Sequence, residues 1–284
     1  MNVKTLRGVA VATVAAALAA AVTGGCSVSF NTKTHRETRS HTLTGTFPEL
    51  RVHGDSGRLE VVGTDSPRVK VVEYLSWSNP NNKPRTVRAV RDGTLTLETK
   101  CSRTVIGYNA CGAGYRVEVP RSTTVDLRTD SGSLRVDGLT GSVMKLHSDS
   151  GSVNAENVRA DSLSATANSG KVKVSGRADS AELRSDSGAI EADGLQAKRV
   201  TARANSGGVR LHLASVPDSV DIDNDSGSVK VLLPTVDKGY AFILRTDSGA
   251  RNISPALRQD SSSPHRVRIS NDSGAINISP APEA

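Results

Sequence analysis

The chain has 284 residues, a formal net charge of +7 at pH 7 and only 3% aromatic residues. A globular domain of this length usually carries more Phe and Trp, so this composition disfavours a wide core and suits a narrow one lined by small side chains. The charge is uneven, because residues 26–121 hold 15 Lys/Arg against 9 Asp/Glu (+6) and residues 122–284 hold 19 against 20 (−1), and a near-neutral second part argues against nucleic-acid binding.

Residues 1–25 predict a signal peptide for export. Lys4 and Arg7 form a basic start, and residues 9–22 form an apolar stretch rich in Ala and Val. This stretch is shorter than the roughly 20 apolar residues that a transmembrane helix needs. Export is a second argument against a nucleic-acid-binding function.

Cys26 follows the segment Val22-Thr23-Gly24-Gly25, which resembles a bacterial lipobox. Gly25 fits the position before the cysteine, whereas Thr23 stands where Leu is usual. We interpret Cys26 as the lipidated first residue of a mature lipoprotein on the outer face of the cytoplasmic membrane. A signal peptide that is simply cleaved is the alternative.

Residues 26–40 are predicted to be the lipidated cysteine and a short polar tether. Lys33, Arg36 and Arg39 lie in this segment, close to the expected membrane surface, where anionic headgroups or wall polymers attract bases. Residues 41–121 are predicted to be an N-terminal β cap made of widened first coils, and a separate small β-domain is the alternative. A terminal repeat needs such a cap, because a bare sheet edge invites aggregation.

Cys101 and Cys111 lie ten residues apart within this predicted cap. The strand-like segments 95–98 and 115–119 flank them, so the region predicts a hairpin with a disulfide across its loop. This pairing leaves Cys26 as the odd cysteine, as lipidation requires. Two cysteines without a CxxC motif or a nearby His make a poor metal site.

The tripeptide Asp-Ser-Gly or Asn-Ser-Gly occurs nine times, and eight copies form a tandem array after an isolated first copy at Gly57. Between the glycines of the array the steps are 19, 19, 18, 19, 20, 22 and 25 residues. A period of about 20 residues is typical of a solenoid, in which each repeat buries its apolar face against its neighbours.

Apolar or small residues alternate with polar ones on both sides of each motif. Around Gly132 they are Val125, Leu127, Leu134 and Val136. This period of two predicts strand, corner, strand, with Gly supplying left-handed or strained corner dihedrals. We therefore predict an all-β, single-stack β-solenoid (β-helix-like) of about eight ~20-residue rungs over residues 122–279. Residues 280–284 form a C-terminal tail, since prolines stop strand pairing.

The first residue of each motif is predicted to lie at a corner, where Asp or Asn accepts local backbone hydrogen bonds. These corner residues are Asp130, Asp149, Asn168, Asp186, Asn205, Asp225, Asp247 and Asp272. Neutral Asn on alternate rungs would interrupt a ladder of carboxylates that repel one another. Duplication of a two-rung unit explains the same alternation, and both explanations stay open.

A basic column stands three positions before each motif serine. It contains Arg128, Arg184, Arg203 and Arg245, with His147 between the first two. By the strand period these side chains point outward on one face. We take the four arginines as a candidate binding face.

These residues and motifs resemble the bacterial "putative adhesin" family of domains of unknown function. That family joins an export or lipoprotein signal to tandem [DN]-S-G-x-[VIL]-x-[VIL] rungs, and the resemblance covers residues 41–279. It implies a surface-exposed β-solenoid, and some similar proteins accompany envelope-stress systems. The resemblance carries no catalytic residues to this chain.

The predicted function is that of a cell-envelope lipoprotein whose solenoid is a non-enzymatic binding or scaffold module. Expected partners are the membrane, through the lipid, and wall or surface glycans or an envelope protein; no cofactor or metal is expected. An envelope-stress accessory or structural protein without a dedicated ligand is the alternative, and a polysaccharide-active enzyme is less favoured, since short regular rungs leave little groove. Rung spacing also disfavours an aspartic-protease site, and Asn on alternate rungs disfavours calcium.

Overall fold

The computed structural model describes residues 34–101 and 110–282, which belong to one compact unit. These residues form one sheet of twenty strands and one 3-10 turn at Pro80–Asn82. The strands are β1 (His35–Leu43), β2 (Glu49–Gly54), β3 (Leu59–Thr64), β4 (Val69–Trp77), β5 (Arg85–Arg91), β6 (Thr94–Lys100), β7 (Cys111–Pro120), β8 (Thr124–Thr129), β9 (Leu134–Asp137), β10 (Val143–Ser148), β11 (Val153–Ala167), β12 (Val172–Ser185), β13 (Ile190–Ser206), β14 (Val209–Leu213), β15 (Ser219–Ser226), β16 (Val229–Leu233), β17 (Ala241–Ser248), β18 (Arg251–Ile253), β19 (Arg266–Ser273) and β20 (Ile276–Pro280).

The strands stack in parallel on two main faces that meet at the motif corner. Face A contains the strand before each corner, such as β8 and β10, and face B contains the strand after it, such as β9. The long strands β11, β12 and β13 bend and contribute to both faces, with a register shift at each bend. This arrangement confirms the predicted all-β, single-stack solenoid.

The motif glycines superpose along one edge of the stack. A Cβ atom built on Gly151 would lie 2.0 Å from the carbonyl oxygen of Gly132, and one built on Gly170 would lie 2.0 Å from that of Gly151. The same backbone approach recurs at every corner from Gly132 to the end of the stack. Glycine is therefore required at these corners because neighbouring rungs touch there, backbone against backbone.

Close approach, rather than backbone dihedral, explains most of these glycines. Of the array glycines, Gly227, Gly249 and Gly274 have φ between +126° and +151°, and the middle corners have no positive φ. Left-handed dihedrals occur instead at a second corner, where face B ends, as at Gly138 (φ 68°) and Asn157 (φ 52°). The expectation of strained dihedrals at the motif corner was therefore wrong for the middle rungs.

Chain order and stacking order differ at both ends. At the C-terminal end β19 lies between β15 and β17, and β20 lies between β16 and β18. At the N-terminal end β2 lies between β6 and β8, and β3 lies between β7 and β9. At the C-terminal end the outermost parallel rung, β17 and β18, therefore precedes the last rung of the chain, and at the N-terminal end the outermost parallel rung, β6 and β7, follows the first.

The composition of the outermost C-terminal rung accounts for the order at that end. The rung of β17 and β18 places Arg251 in register with Ile276, whose row otherwise carries buried apolar residues. Only at the end of the stack can such an arginine reach solvent, and Arg251 is exposed there. An inward-pointing charge is also a known device against end-to-end sheet growth.

Additional antiparallel strands cover the N-terminal end. On face B, β4 pairs antiparallel with β7, and β1 pairs antiparallel with β4. On face A, β5 pairs antiparallel with β6. These strands bury Trp77 and Leu75 and supply the covering that a terminal rung needs.

The core is a single narrow layer of Val, Leu, Ile and Ala side chains between the two faces. Face A contributes residues that precede the corner, such as Leu127, Leu146 and Leu183, and face B contributes residues that follow it, such as Val136 and Val174. All five side chains are at most 2% exposed. The small aromatic fraction of the sequence follows from the short distance between the two faces. The full burial of such a side chain contributes about 1.5–3 kcal/mol.

Candidate binding face

The register of face A places the predicted basic column in one outward row. Arg128 pairs with His147, and His147 pairs with Thr166. The row continues through Arg184 and Arg203. It therefore forms a continuous polar strip across the middle of the stack.

The row changes character towards the C-terminal end. Arg203 stands next to Asp223, Asp223 next to Ser270, and Ser270 next to Arg245. Arg245 is thus separated from the other arginines by two rungs. It makes no ion pair within residues 34–101 and 110–282.

Three of the four arginines are held by acidic neighbours. Arg128 contacts Asp126 at 3.3 Å, and Arg184 contacts Asp186 at 3.1 Å. Arg203 approaches Glu182 on the adjacent strand, with 3.6 Å between Nη1 and Oε1. Their side chains remain 49–62% exposed. Such exposed ion pairs contribute about 0–1 kcal/mol, so they orient the guanidinium groups more than they stabilise the fold.

The corner acids form a second row beside the arginines. Asn168 donates a hydrogen bond from Nδ2 to Oδ1 of Asp149 at 3.0 Å, and His147 lies 2.8 Å from the same oxygen. This bond shows how an amide on the next rung relieves a stacked carboxylate. His53 approaches Asp130 at 3.3 Å in the same way.

Near both ends of the stack no Asn separates the carboxylates of the corner row. Because β19 lies between β15 and β17, the carboxylates of Asp225, Asp272 and Asp247 follow one another on consecutive rungs. At the other end Asp55 stacks beside Asp130; burial first, and then the charge of Asp130, raise the pKa of Asp55. The acids remain a row: in the described part of the chain no three His, Cys, Asp or Glu side chains converge as a metal site would require.

A buried polar row lies directly beneath the corners, and the sequence reasoning treated these positions only as apolar or small. The hydroxyl of Ser148 accepts a hydrogen bond from the N–H of Gly151 at 2.9 Å and donates to the carbonyl oxygen of Gly132 at 3.0 Å. Ser185 makes the same two bonds to Gly188 and Gly170. One hydroxyl thus joins two neighbouring rungs.

Asparagine takes over this role at the C-terminal end. Asn224 donates from Nδ2 to Oδ1 of Asn271 at 2.7 Å, and Asn271 donates to the carbonyl oxygens of Gly227 and Gly274. Both side chains are fully buried. The rungs of Asn224 and Asn271 both carry Asn at this position, whereas the outermost rung carries Thr246. This difference is the sequence signal that could have predicted that the rungs of Asn224 and Asn271 are neighbours.

Face B carries ion pairs from rung to rung. Glu191 receives Lys171 at 3.0 Å and Arg210 at 3.7 Å. Nearer the N-terminal end of the stack, Arg135 on β9 pairs with Glu156 on the neighbouring strand β11. Face B therefore presents largely satisfied charges.

The disulfide and a buried acid distinguish the N-terminal end. Cys101 and Cys111 are bonded, with an S–S distance of 2.04 Å; residues 102–109, between them, lie outside the described part. The predicted hairpin is wrong, because β6 pairs with β2 and β5 on face A, whereas β7 pairs with β3 and β4 on face B. Glu73 is fully buried, accepts a hydrogen bond from Thr86 at 2.9 Å and lies 3.8 Å from Arg88. Sequence reasoning missed this acid, although a signal was present: Glu73 occupies an inward position of the alternating strand β4, between Val71 and Leu75.

The predicted signal peptide and the predicted lipidation site at Cys26 lie outside the described residues. Among the residues that are described, there is no helix with the length and apolar character to cross a membrane.

An all-β stack of about 20-residue rungs, with polar outer faces and a sealed narrow core, defines a solenoid repeat protein. The DUF4097 family, described as "Toastrack DUF4097", matches residues 50–279. The chain belongs to this family, which confirms the resemblance drawn from the repeats.

Two solved structures are similar to this chain, and the first of them shares its fold. A "putative adhesin" from Bacteroides fragilis is 19% identical, with a TM-score of 0.56, over 86% of this chain and 97% of that one. A "putative lipid binding protein" from Parabacteroides distasonis is 17% identical, with a TM-score of 0.48, over 86% and 96%. No curated protein matches the chain.

Proposed function

We propose that this protein is an exported lipoprotein, anchored through Cys26 to the outer face of the cytoplasmic membrane. Residues 26–34 are the tether, which is shorter than the predicted 26–40 because β1 (His35–Leu43) already pairs with β4. Residues 35–121 are then the cap, and residues 122–279 are the solenoid that the tether presents. The solenoid acts as a non-enzymatic binding module for wall or surface glycans or for an envelope protein. Family membership and the name of the Bacteroides relative support a surface role.

The observation that carries this proposal is the outward row on face A. Arg184 and Arg203 are neighbours on adjacent strands, and Asp186 and Glu182 hold their guanidinium groups. Strands in a sheet lie about 4.8 Å apart, so the row offers repeated donors on a flat surface. Repeated donors suit a polymer with repeated acceptors, since each added contact raises the overall affinity.

The test compares two variants with the same loss of charge. Arg184→Ser/Arg203→Ser removes the two neighbours on face A, and Arg159→Ser/Arg177→Ser removes two neighbours beyond the second corner. Purified wall material should bind the second variant as it binds the wild type and should bind the first at least tenfold less, while both variants keep the same melting temperature. Equal retention of both variants would refute binding through face A.

Anchoring is tested separately. Cys26→Ser should move the protein from the membrane fraction to the culture medium, and a variant that stays membrane-bound would refute lipidation at Cys26. This outcome does not depend on the ligand.

A structural role in the envelope is the second candidate. Arg128, Arg184 and Arg203 already have acidic partners within the protein, so the face also suits a scaffold without a dedicated ligand. Wall material that binds neither the wild type nor any variant would favour this role.

A further inference from the structure

A groove of about 450 Å³ crosses the outer side of β1, β4, β7 and β3, on face B at the N-terminal end. We call it the cap groove. The side chains that bear on the argument are Arg36, Arg58, Tyr74 and Arg116. It is separate from the arginine row, which lies on face A.

The groove exists because β7 lacks side chains where its neighbours have them. Gly114 stands opposite Tyr74, and Gly112 stands opposite Ser76. Both glycines are explained by packing, since a Cβ on Gly112 would lie 2.3 Å from Oγ of Ser56, and one on Gly114 would lie 3.0 Å from a backbone oxygen. The close approach of the corner residues Ser56 and Arg58 therefore explains the gap. It does not explain which side chains surround the gap.

The charges around the gap are unbalanced. Arg36 and Arg58 make no ion pair in the described part of the chain, whereas Arg116 is held by Glu60 at 2.8 Å. The other acid at the groove, Glu37, already receives two bases outside it. Two guanidinium groups are therefore available to an anion, and guanidinium binds carboxylate and phosphate through paired hydrogen bonds.

An aromatic ring forms one wall of the groove. Tyr74 is 48% exposed, whereas most large apolar side chains of the described residues are buried. A ring with one open face can pack against the C–H groups of a sugar, while its hydroxyl stays in water. An apolar wall with a few convergent polar groups, in a volume of 300–1,000 Å³, is typical of small-molecule sites.

We propose that the cap groove binds a sugar unit that carries a carboxylate or a phosphate. Arg36 and Arg58 hold the anionic group, and Tyr74 packs against the sugar ring. The site goes beyond the proposed face A surface and does not depend on it. Failure of the Arg184/Arg203 test therefore leaves this proposal standing, and the reverse is also true.

The experiment uses the full mature protein and isothermal titration with tetragalacturonate and glucose 6-phosphate, with maltotetraose as the neutral probe. Arg36→Gln/Arg58→Gln should weaken binding of an acidic probe at least tenfold, and Tyr74→Ala at least fivefold. Lys70→Gln is the control, because Lys70 is an exposed base on the same strand, β4, but outside the groove. It should bind as the wild type does.

The results separate the sources of the anion and the alternatives. Binding of tetragalacturonate alone, or of glucose 6-phosphate alone, supports the site and identifies its anion. Equal binding of maltotetraose, equal loss in Lys70→Gln, or no binding of either acidic probe would overturn the proposal. Inorganic phosphate that binds as tightly as glucose 6-phosphate, with Tyr74→Ala unchanged, would overturn the sugar site and leave an anion site only.

Discussion

Replacing one corner glycine tests how closely the rungs approach one another. In Gly170→Ala the new Cβ would lie 2.0 Å from the carbonyl oxygen of Gly151, whereas ordinary contacts begin at 3.4 Å. The rungs would have to separate by more than 1 Å, because the obstacle is backbone and cannot rotate away. Overpacking costs about 1–3 kcal/mol and occasionally more, so we expect a loss near the upper end, about 3 kcal/mol.

The control is Gly54→Ala, within the same stack. The nearest atom to its new Cβ would be Oγ1 of Thr129 at 3.6 Å, and Gly54 has no positive φ. This variant should change the free energy of unfolding by less than about 1 kcal/mol, in the stabilising direction, since alanine restricts the unfolded chain.

Guanidinium unfolding followed by circular dichroism, together with calorimetry, measures both variants. A loss of about 3 kcal/mol lowers the melting temperature by roughly 6–12 °C in a domain of this size. If Gly170→Ala is as stable as Gly54→Ala, the corners do not superpose and the reasoning fails.

Three further predictions concern stability. Cys101→Ser/Cys111→Ser opens a loop with a sequence separation of 10 and should lower the free energy of unfolding by about 2–3 kcal/mol; an unchanged denaturation midpoint would contradict this. Ser185→Ala leaves two half-buried glycine backbone groups without their shared hydroxyl and should cost about 1–2 kcal/mol, while Ser187→Ala, at an exposed position, should cost almost nothing; equal losses would show that the Ser185 hydroxyl does not join the two rungs. Burial and a stacked carboxylate raise the pKa of Asp55, so its ionised form destabilises the fold: Asp55→Asn should be more stable than wild type at pH 7, with the difference shrinking as the pH falls through that pKa, and a difference that grows towards low pH would show the wrong sign.

Local patterns were sufficient to predict the rung, because each of its features repeats. The period of two around Gly132 predicted two strands and a corner, and the array period predicted the stack. The strand-like segments that flank Cys101 and Cys111 predicted their disulfide, which the structure contains, but not the hairpin, because these two strands lie on different faces. The corner dihedral was predicted from the usual role of glycine, and the structure gives close backbone approach instead.

Stacking order could not be predicted from local patterns. Rungs with nearly the same inward residues can pair with one another in several orders, and each order buries a similar apolar area. The structure selects the order that places Arg251 at an end, where its charge reaches water. The long steps of 22 and 25 residues before Gly249 and Gly274 leave enough chain for that rearrangement.

Of the two candidate sites, local patterns predicted the arginine row of face A but not the cap groove. Period and motif spacing were enough to place the arginines of face A in one row, and the structure adds that Arg128, Arg184 and Arg203 have acidic partners. The cap groove depends on two glycines of β7 in register with Tyr74 and Ser76 of β4. That register follows from long-range antiparallel pairing, which the sequence pattern does not determine.

The most direct test of the winding is a pair of engineered cross-links at the corner serines. Ser273 pairs with Ser226 on one side and with Ser248 on the other, so Ser226 and Ser248 lie two strands, or roughly 10 Å, apart. Disulfides need Cα atoms about 4.4–6.8 Å apart. In a Cys26→Ser background, mass spectrometry under non-reducing conditions should find a bridge in Ser226→Cys/Ser273→Cys and none in Ser226→Cys/Ser248→Cys. A bridge in the second variant and free thiols in the first would contradict the stacking of these rungs.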